Sequence, residues 1–137
     1  MYNYNFMNDN WYRNTNVNQS IFSPTDGFDR GNLFSNLYSQ YKNYKPAILR
    51  ATNEQEQMLL DLSRLSFAVH ELNLYLDLNP NDDSILALFN DYRAEADQLC
   101  REYEAKYGPL DINSNDLINA PFKWVNNSWP WEGKNNV

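Results

Sequence analysis

The sequence LDLNPNDD at residues 76–83 separates two long segments in which apolar residues recur at helical spacing. Proline pushes the residue before it out of helical backbone geometry, so Pro80 predicts that a helix arriving from the N-terminal side ends near Asp77. Asp82 or Asp83 can cap a second helix, because a short acidic side chain accepts hydrogen bonds from the first free backbone amides. This stretch therefore predicts a short polar connection between two helices.

Apolar residues on both sides of this connection alternate at spacings of three and four, which places their side chains on one helix face. In the first helix, which is expected to begin after a capping residue at Thr52 or Asn53, they are Met58, Leu62, Leu65, Val69, Leu72 and Leu76. In the second helix they are Ile85, Phe89, Tyr92, Ala96, Leu99 and Tyr103. Gly108 and Pro109 predict its end. The pattern indicates an all-α fold built on a long antiparallel αα-hairpin at residues 52–110.

The first helix carries more apolar surface than this seam uses. Leu60, Phe67 and Leu74 form a second line at intervals of seven residues. Two helices cannot cover both lines, so a third body is expected on this face. Two alternatives remain open: the chain's own flanking segments cover the line, or a second copy or another protein covers it.

Aromatic-rich segments flank the predicted hairpin. Residues 1–27 are rich in asparagine and tyrosine and lack periodicity, which is typical of a flexible arm or of one that a partner orders. Residues 28–51 predict a short amphipathic turn or helix. The side chains at helical spacing in that segment are Phe34, Leu37, Tyr38 and Tyr41.

The C-terminal segment, residues 111–137, predicts an extended tail with a short strand at 121–125 that contains Trp124. Pro130 excludes Trp129 from helical geometry, and in an extended strand Trp129 and Trp131 project to the same side. The tail is therefore a candidate anchor for the hairpin or for a neighbouring molecule.

The acidic composition limits the classes of partner. The 137 residues carry a formal net charge of -7 and contain no block of consecutive Lys and Arg, which argues against nucleic acid or an anionic membrane. No stretch approaches the ~18 apolar residues of a membrane span. Met1–Asn10 has no basic region followed by an apolar run, so we expect no secretory signal peptide.

Few residues suggest catalysis. His70 is the single histidine, and Phe67 stands three positions before it, where a dimetal carboxylate bundle would have Glu. Cys100 is the single cysteine and is expected to be a half-buried apolar group. Glu102 and Lys106 are spaced to pair on a solvated helix face. We predict no catalytic, cofactor or metal site in this chain.

Three motifs, taken in order, resemble the CotJB family of bacterial spore coat proteins. They are LNLYLDLNPND at 72–82, YEAKYGPL at 103–110, and WV at 124–125 followed by WPWE at 129–132. The similarity runs from about residue 53 to residue 133. The sequence RGNLFSNLY at 30–38 also resembles the core of a companion coat protein, CotJA, with Asn32 and Ser35 where that family has threonine and proline.

The resemblance implies a structural protein of the endospore coat, made in the mother-cell cytoplasm and dependent on CotJC, a partner similar to manganese catalases. It implies no catalysis by this chain. The leading hypothesis is a non-enzymatic assembly protein that docks on the catalase-like partner or on copies of itself. Candidate partner-binding residues are Phe34, Leu37, Tyr38, Tyr41, Leu60, Phe67, Leu74, Tyr75, Trp124, Trp129, Pro130 and Trp131.

Two alternatives belong to other functional classes. The aromatic residues could stack on sugar rings in a glycan-binding module of the spore envelope. The tyrosines could also be substrates for peroxide-driven dityrosine cross-linking in the coat.

Overall fold

A computed structural model describes residues 20–36 and 42–126. These ranges contain three α-helices, α1 at Pro24–Arg30, α2 at Glu54–Leu78 and α3 at Asp83–Tyr107. Two short 3-10 helices follow at Asn115–Leu117 and Lys123–Asn126. Within the same ranges, extended pairing is limited to one antiparallel bridge between Ile21 and Phe34. The prediction of an all-α fold is confirmed.

The long helices begin at the residues that the capping signals predict, α2 ends one residue after Asp77, and α3 ends just before Gly108 as expected. Asn53 Oδ1 accepts a hydrogen bond from the Glu56 backbone amide at 2.8 Å, and the Glu56 carboxylate in turn accepts one from the Thr52 hydroxyl at 2.8 Å. Asp82 Oδ1 accepts one from the Ile85 amide at 3.1 Å. These side chains satisfy donors that the first helical turn leaves without backbone partners.

Helices α2 and α3 run antiparallel and pack along their lengths. At one end the Gln55 side-chain amide donates to the Tyr103 hydroxyl at 3.1 Å, and at the other the Tyr75 hydroxyl donates to Asp82 at 3.3 Å. The buried apolar residues that the two helices contribute are Leu62, Leu65, Ala68, Leu72, Ile85, Tyr92 and Tyr103. Ala68 lies outside the seam that the spacing predicted.

The N-terminal segment forms a third layer against α2. Ser23 caps α1, and Gly31 ends it with a φ of 71°, a left-handed conformation that glycine adopts without steric penalty. The chain then buries Leu33 and Phe34, which are 0% and 2% exposed. By packing against α2, this segment covers part of the hairpin's surplus apolar face.

The helix in this segment lies earlier than predicted. α1 occupies Pro24–Arg30 and so crosses the predicted division at residue 28, whereas Phe34 lies in the bridged segment after it. The Asn32 side chain accepts a hydrogen bond from the Phe34 amide at 3.0 Å and holds this local turn. Leu37, Tyr38 and Tyr41 lie outside the described residues.

The strand predicted at residues 121–125 is wrong. Lys123–Asn126 forms a 3-10 helix, and a second one at Asn115–Leu117 is capped by Ser114. Within the described ranges, no strand lies beside this segment to pair with an extended backbone. Trp129, Pro130 and Trp131 of the predicted tail lie outside those ranges.

Candidate docking surfaces

Several of the candidate partner-binding residues have packing contacts within the chain. Phe34 stacks on Tyr75 with ring centroids 5.0 Å apart, and Phe28 contacts Phe67 edge to face at 5.8 Å. The Leu33 backbone amide also donates to the Glu71 carboxylate at 3.3 Å. The chain's own N-terminal flank therefore covers the middle of the second apolar line on α2.

The two ends of that line differ. Leu60 is half-buried, whereas Leu74 is 49% exposed. Leu78 lies one turn beyond Leu74 and is 84% exposed, and Leu86, in the first turn of α3, is 41% exposed. We name Leu74, Leu78 and Leu86 the hairpin-end leucines, because all three lie near the connection between the two long helices.

The C-terminal segment exposes a second set of apolar side chains. Phe122 is 53% exposed and Trp124 is 37% exposed, and Lys123 lies between them. The Lys123 ammonium forms an ion pair with Asp116 at 2.8 Å, with both side chains accessible to solvent. Exposed apolar groups this close together are typical of contact surfaces.

A groove of about 710 Å³ lies between the start of α1, the N-terminal half of α2 and the C-terminal half of α3. Its apolar lining includes Met58, Leu65 and Leu99, and its polar lining includes Arg64 and Glu95. Sequence reasoning missed this groove. The signal available was Arg64, a charged residue next to Leu65 of the predicted seam, but its burial depends on how α1 packs.

Arg64 is unusual because it is charged and only 8% exposed. Its Nη1 atom forms an ion pair with Asp61 at 3.2 Å, and its Nη2 atom lies 4.0 Å from Asp29 of α1. Its Nε atom is buried without a hydrogen-bond partner. The two ion pairs compensate its charge inside the protein.

Glu95 contributes a second unsatisfied atom to the groove lining. Its Oε2 atom is buried and has no hydrogen-bond partner, and burial raises the pKa of the Glu95 carboxyl above its ordinary value. Burial, with the nearby charges of Glu95 and Asp91, raises the pKa of Tyr92 to about 12. The groove thus combines a poorly solvated carboxylate with an apolar wall.

The predicted pairing of Glu102 with Lys106 is wrong. Lys106 Nζ lies 2.5 Å from Glu54 at the start of α2, and Glu102 instead accepts a hydrogen bond from Gln98 at 2.9 Å. Antiparallel packing brings the last turn of α3 beside the first turn of α2. A cation at the C-terminus of one helix and an anion at the N-terminus of the other also complement the helix dipoles.

Residues that could support chemistry are not grouped in the described part of the chain. No cluster of three or more His, Cys, Asp or Glu side chains there could hold a metal ion. Cys100 is half-buried, and burial, followed by the charges of Glu104 and other carboxylates, raises the pKa of its thiol. A raised thiol pKa lowers the thiolate fraction and hence the reactivity of the cysteine. Helices long and apolar enough to cross a bilayer do not occur in residues 20–36 and 42–126.

Comparison with known proteins gives one match. The family model described as CotJB protein matches residues 56–132, more than half of the chain, and this range includes α2, α3 and the C-terminal segment. The model does not reach residues 28–51, and the resemblance of that segment to CotJA is not supported. Searches of curated proteins and of solved structures returned no match.

Proposed function

This chain belongs to the CotJB family of spore coat proteins, and we propose that it is a non-enzymatic structural protein that docks on a manganese-catalase-like coat protein. The docking surface in this proposal is formed by the hairpin-end leucines. The catalase-like partner is suggested by the family resemblance. The exposed apolar surface of the hairpin-end leucines supports a role in docking.

Exposure of the hairpin-end leucines is the observation that carries the proposal. Leu74 and Leu78 lie on the same face of α2, since residues four apart on a helix are neighbours. All three leucines lie within the family-matched range and near the connection that ends α2. Burying one exposed leucine side chain on binding contributes about 1.5–3 kcal/mol at most, before ordering costs. Three such residues can therefore supply a substantial part of an interface.

The partner-binding roles predicted for Leu37, Tyr38, Tyr41, Trp129, Pro130 and Trp131 remain proposals of the same kind. In a partner complex, the paired tryptophans would add rigid aromatic area at low cost in side-chain entropy. Replacing Trp129 and Trp131 together with alanine is expected to weaken assembly and to leave helicity by circular dichroism unchanged.

Co-expression tests the docking surface directly. We expect the chain and a manganese-catalase-like coat protein from the same genome to co-elute in size-exclusion chromatography. Leu74→Ser combined with Leu78→Ser should weaken this association by tenfold or more, about 1.4 kcal/mol. Ile48→Ser is the matched control, because Ile48 is 72% exposed but lies outside the family-matched range.

Two outcomes would contradict the proposal. Separate elution of the two wild-type proteins at micromolar concentration would show that the catalase-like protein is not a partner of this chain. Equal loss of binding in the leucine variant and in Ile48→Ser would remove the hairpin-end surface, because a general change in surface hydrophobicity would then explain both.

A further inference from the structure

Two residues that line the groove between α1, α2 and α3 each have a buried polar atom without a hydrogen-bond partner. Glu95 Oε2 lacks a donor and Arg64 Nε lacks an acceptor, although both atoms are buried. A poorly solvated carboxylate without a donor is unfavourable, so the Glu95 side chain favours a positively charged partner. A ligand that complements the Glu95 carboxylate therefore carries a positively charged donor.

The charge of the groove also favours a cation. Asp61 and Asp29 already compensate Arg64, and Lys106 pairs with Glu54 at the rim. The carboxylates of Glu95 and Glu102 remain on the α3 side without a cationic partner among the described ion pairs. Met58, Leu65 and Leu99 form an apolar wall. A suitable occupant therefore carries a basic side chain beside large apolar ones.

The C-terminal segment of this protein has that composition. Lys123 stands between the exposed rings of Phe122 and Trp124. Its ion pair with Asp116 is accessible to solvent on both sides, and such exposed pairs contribute little to stability. Breaking this ion pair therefore costs Lys123 little. Asp116 would remain accessible to water.

We propose that the groove of one molecule binds the segment Phe122–Trp124 of a second copy. The Lys123 ammonium pairs with the Glu95 carboxylate, and the aromatic rings pack on the apolar wall. The groove and the segment are different surfaces, so the contact is heterologous and joins copies head to tail. The inference rests on the proposed assembly role, but it concerns contacts between copies and uses none of the hairpin-end leucines.

Binding of a short peptide measures the contact between the groove and the segment without requiring whole molecules to assemble. We expect a fluorescein-labelled peptide of residues 119–126 to bind the full-length protein saturably in fluorescence anisotropy. The Lys123→Glu peptide and the Glu95→Gln protein should each weaken binding by about tenfold or more, because each removes a hydrogen bond between charged groups. A peptide of residues 46–52 is the matched control, since Arg50 follows the exposed Ile48 and Leu49. Equal binding of both peptides would overturn the proposal.

Mixing two variants tests the head-to-tail arrangement in the whole chain. Lys123→Glu disables the segment and Glu95→Gln disables the groove, so each variant alone should be monomeric in sedimentation velocity. A mixture in equal amounts should form a dimer through the one intact groove and the one intact segment. Circular dichroism checks that both variants fold. A mixture that stays monomeric, or a Lys123→Glu variant that associates as the wild type does, would overturn the proposal.

The same variants separate this inference from the proposed function. Both keep the hairpin-end leucines and should still co-elute with the catalase-like partner. A wild-type chain that binds this partner but never associates with itself would overturn the inference and leave the proposed function standing. A chain that associates with itself through Lys123 and Glu95 but does not bind the partner would support the inference and contradict the proposed function.

Discussion

The ring of Phe28 in α1 meets the ring of Phe67 in α2 edge to face, with centroids 5.8 Å apart and an interplanar angle of 83°. Phe67 is the middle residue of the second apolar line on α2, between Leu60 and Leu74. This contact shows that the N-terminal flank covers that part of the line. The covered middle of the line and its exposed Leu74 end therefore have different surroundings.

Phe28→Ala and Phe67→Ala should each destabilise the protein by about 2–3 kcal/mol, less than the 3–5 kcal/mol of a fully buried phenylalanine because both rings are half-buried. The double variant should show a coupling free energy of about 0.5–1.5 kcal/mol, the usual range for an aromatic pair. Urea denaturation followed by circular dichroism measures all three variants. Strictly additive losses would mean that the two rings contribute independently.

Gly27 in α1 and Gly31, which follows the last residue of α1, should respond to substitution for different reasons. A Cβ atom on Gly27 would lie 2.9 Å from Leu33 Cδ1 and 3.2 Å from Leu33 Cα, so Gly27→Ala should cost about 1–3 kcal/mol by overpacking. A Cβ on Gly31 meets no atom within 4 Å, but its φ of 71° strains alanine by about 1–2 kcal/mol.

Substitution with asparagine distinguishes overpacking at Gly27 from backbone strain at Gly31, because asparagine tolerates the left-handed conformation better than alanine does. Gly31→Asn should recover most of the stability that Gly31→Ala loses, whereas Gly27→Asn should be no better than Gly27→Ala. Thermal denaturation of the four variants makes the comparison. Recovery at both positions would contradict the close approach to Leu33.

Asp82→Ala should remove the cap of α3 and lower the free energy of unfolding at pH 7 by about 1 kcal/mol. Hydrogen bonds from the Ser84 hydroxyl and the Ile85 amide lower the pKa of the Asp82 carboxyl below its ordinary value of 3.8. The folded state therefore binds this proton more weakly than the unfolded state. The stabilisation is full above pH 3.8 and is lost as the pH falls through the lowered pKa.

Asp82→Asn serves as the control for charge, because asparagine also caps helices but does not titrate. It should keep most of the stability at pH 7 and lose the part of the acid dependence that Asp82 causes. Urea denaturation from pH 2 to pH 7 tests this. An unchanged acid profile in Asp82→Asn would show that other carboxylates dominate the profile.

Glu95→Gln should raise the melting temperature at pH 7, measured at concentrations where the chain is monomeric. Burial raises the pKa of the Glu95 carboxyl above 4.5, so the folded state binds this proton more tightly than the unfolded state. The ionised group therefore destabilises the fold increasingly as the pH rises through its raised pKa. The gain from glutamine should vanish below pH 4.5.

Asp97→Asn provides the comparison for Glu95→Gln, because Asp97 is an exposed carboxylate on the same helix. It should change the melting temperature little at either pH. A gain in Glu95→Gln that persists at pH 4 would indicate a packing effect of the amide, since the wild-type carboxyl would then be largely neutral.

The sequence alone determined the two long helices and the connection between them. Pro80, Asp82 and Asn53 act on their own neighbours through backbone geometry and capping, and such local effects do not depend on the rest of the fold. The alternating apolar spacing likewise predicted which faces of α2 and α3 meet. The all-α class and the membership of the CotJB family follow from these segments.

Only the tertiary structure decided how the remaining groups are used. Phe67 and Leu74 belong to the same apolar line on α2, yet Phe67 is covered and Leu74 is exposed, because α1 packs over only one part of that line. Lys106 pairs with Glu54, 52 positions away in the chain, rather than with its helical neighbour Glu102. The buried Arg64 and the unpaired Glu95 arise where three helices meet. Their environments depend on segments distant in sequence, which no local pattern encodes.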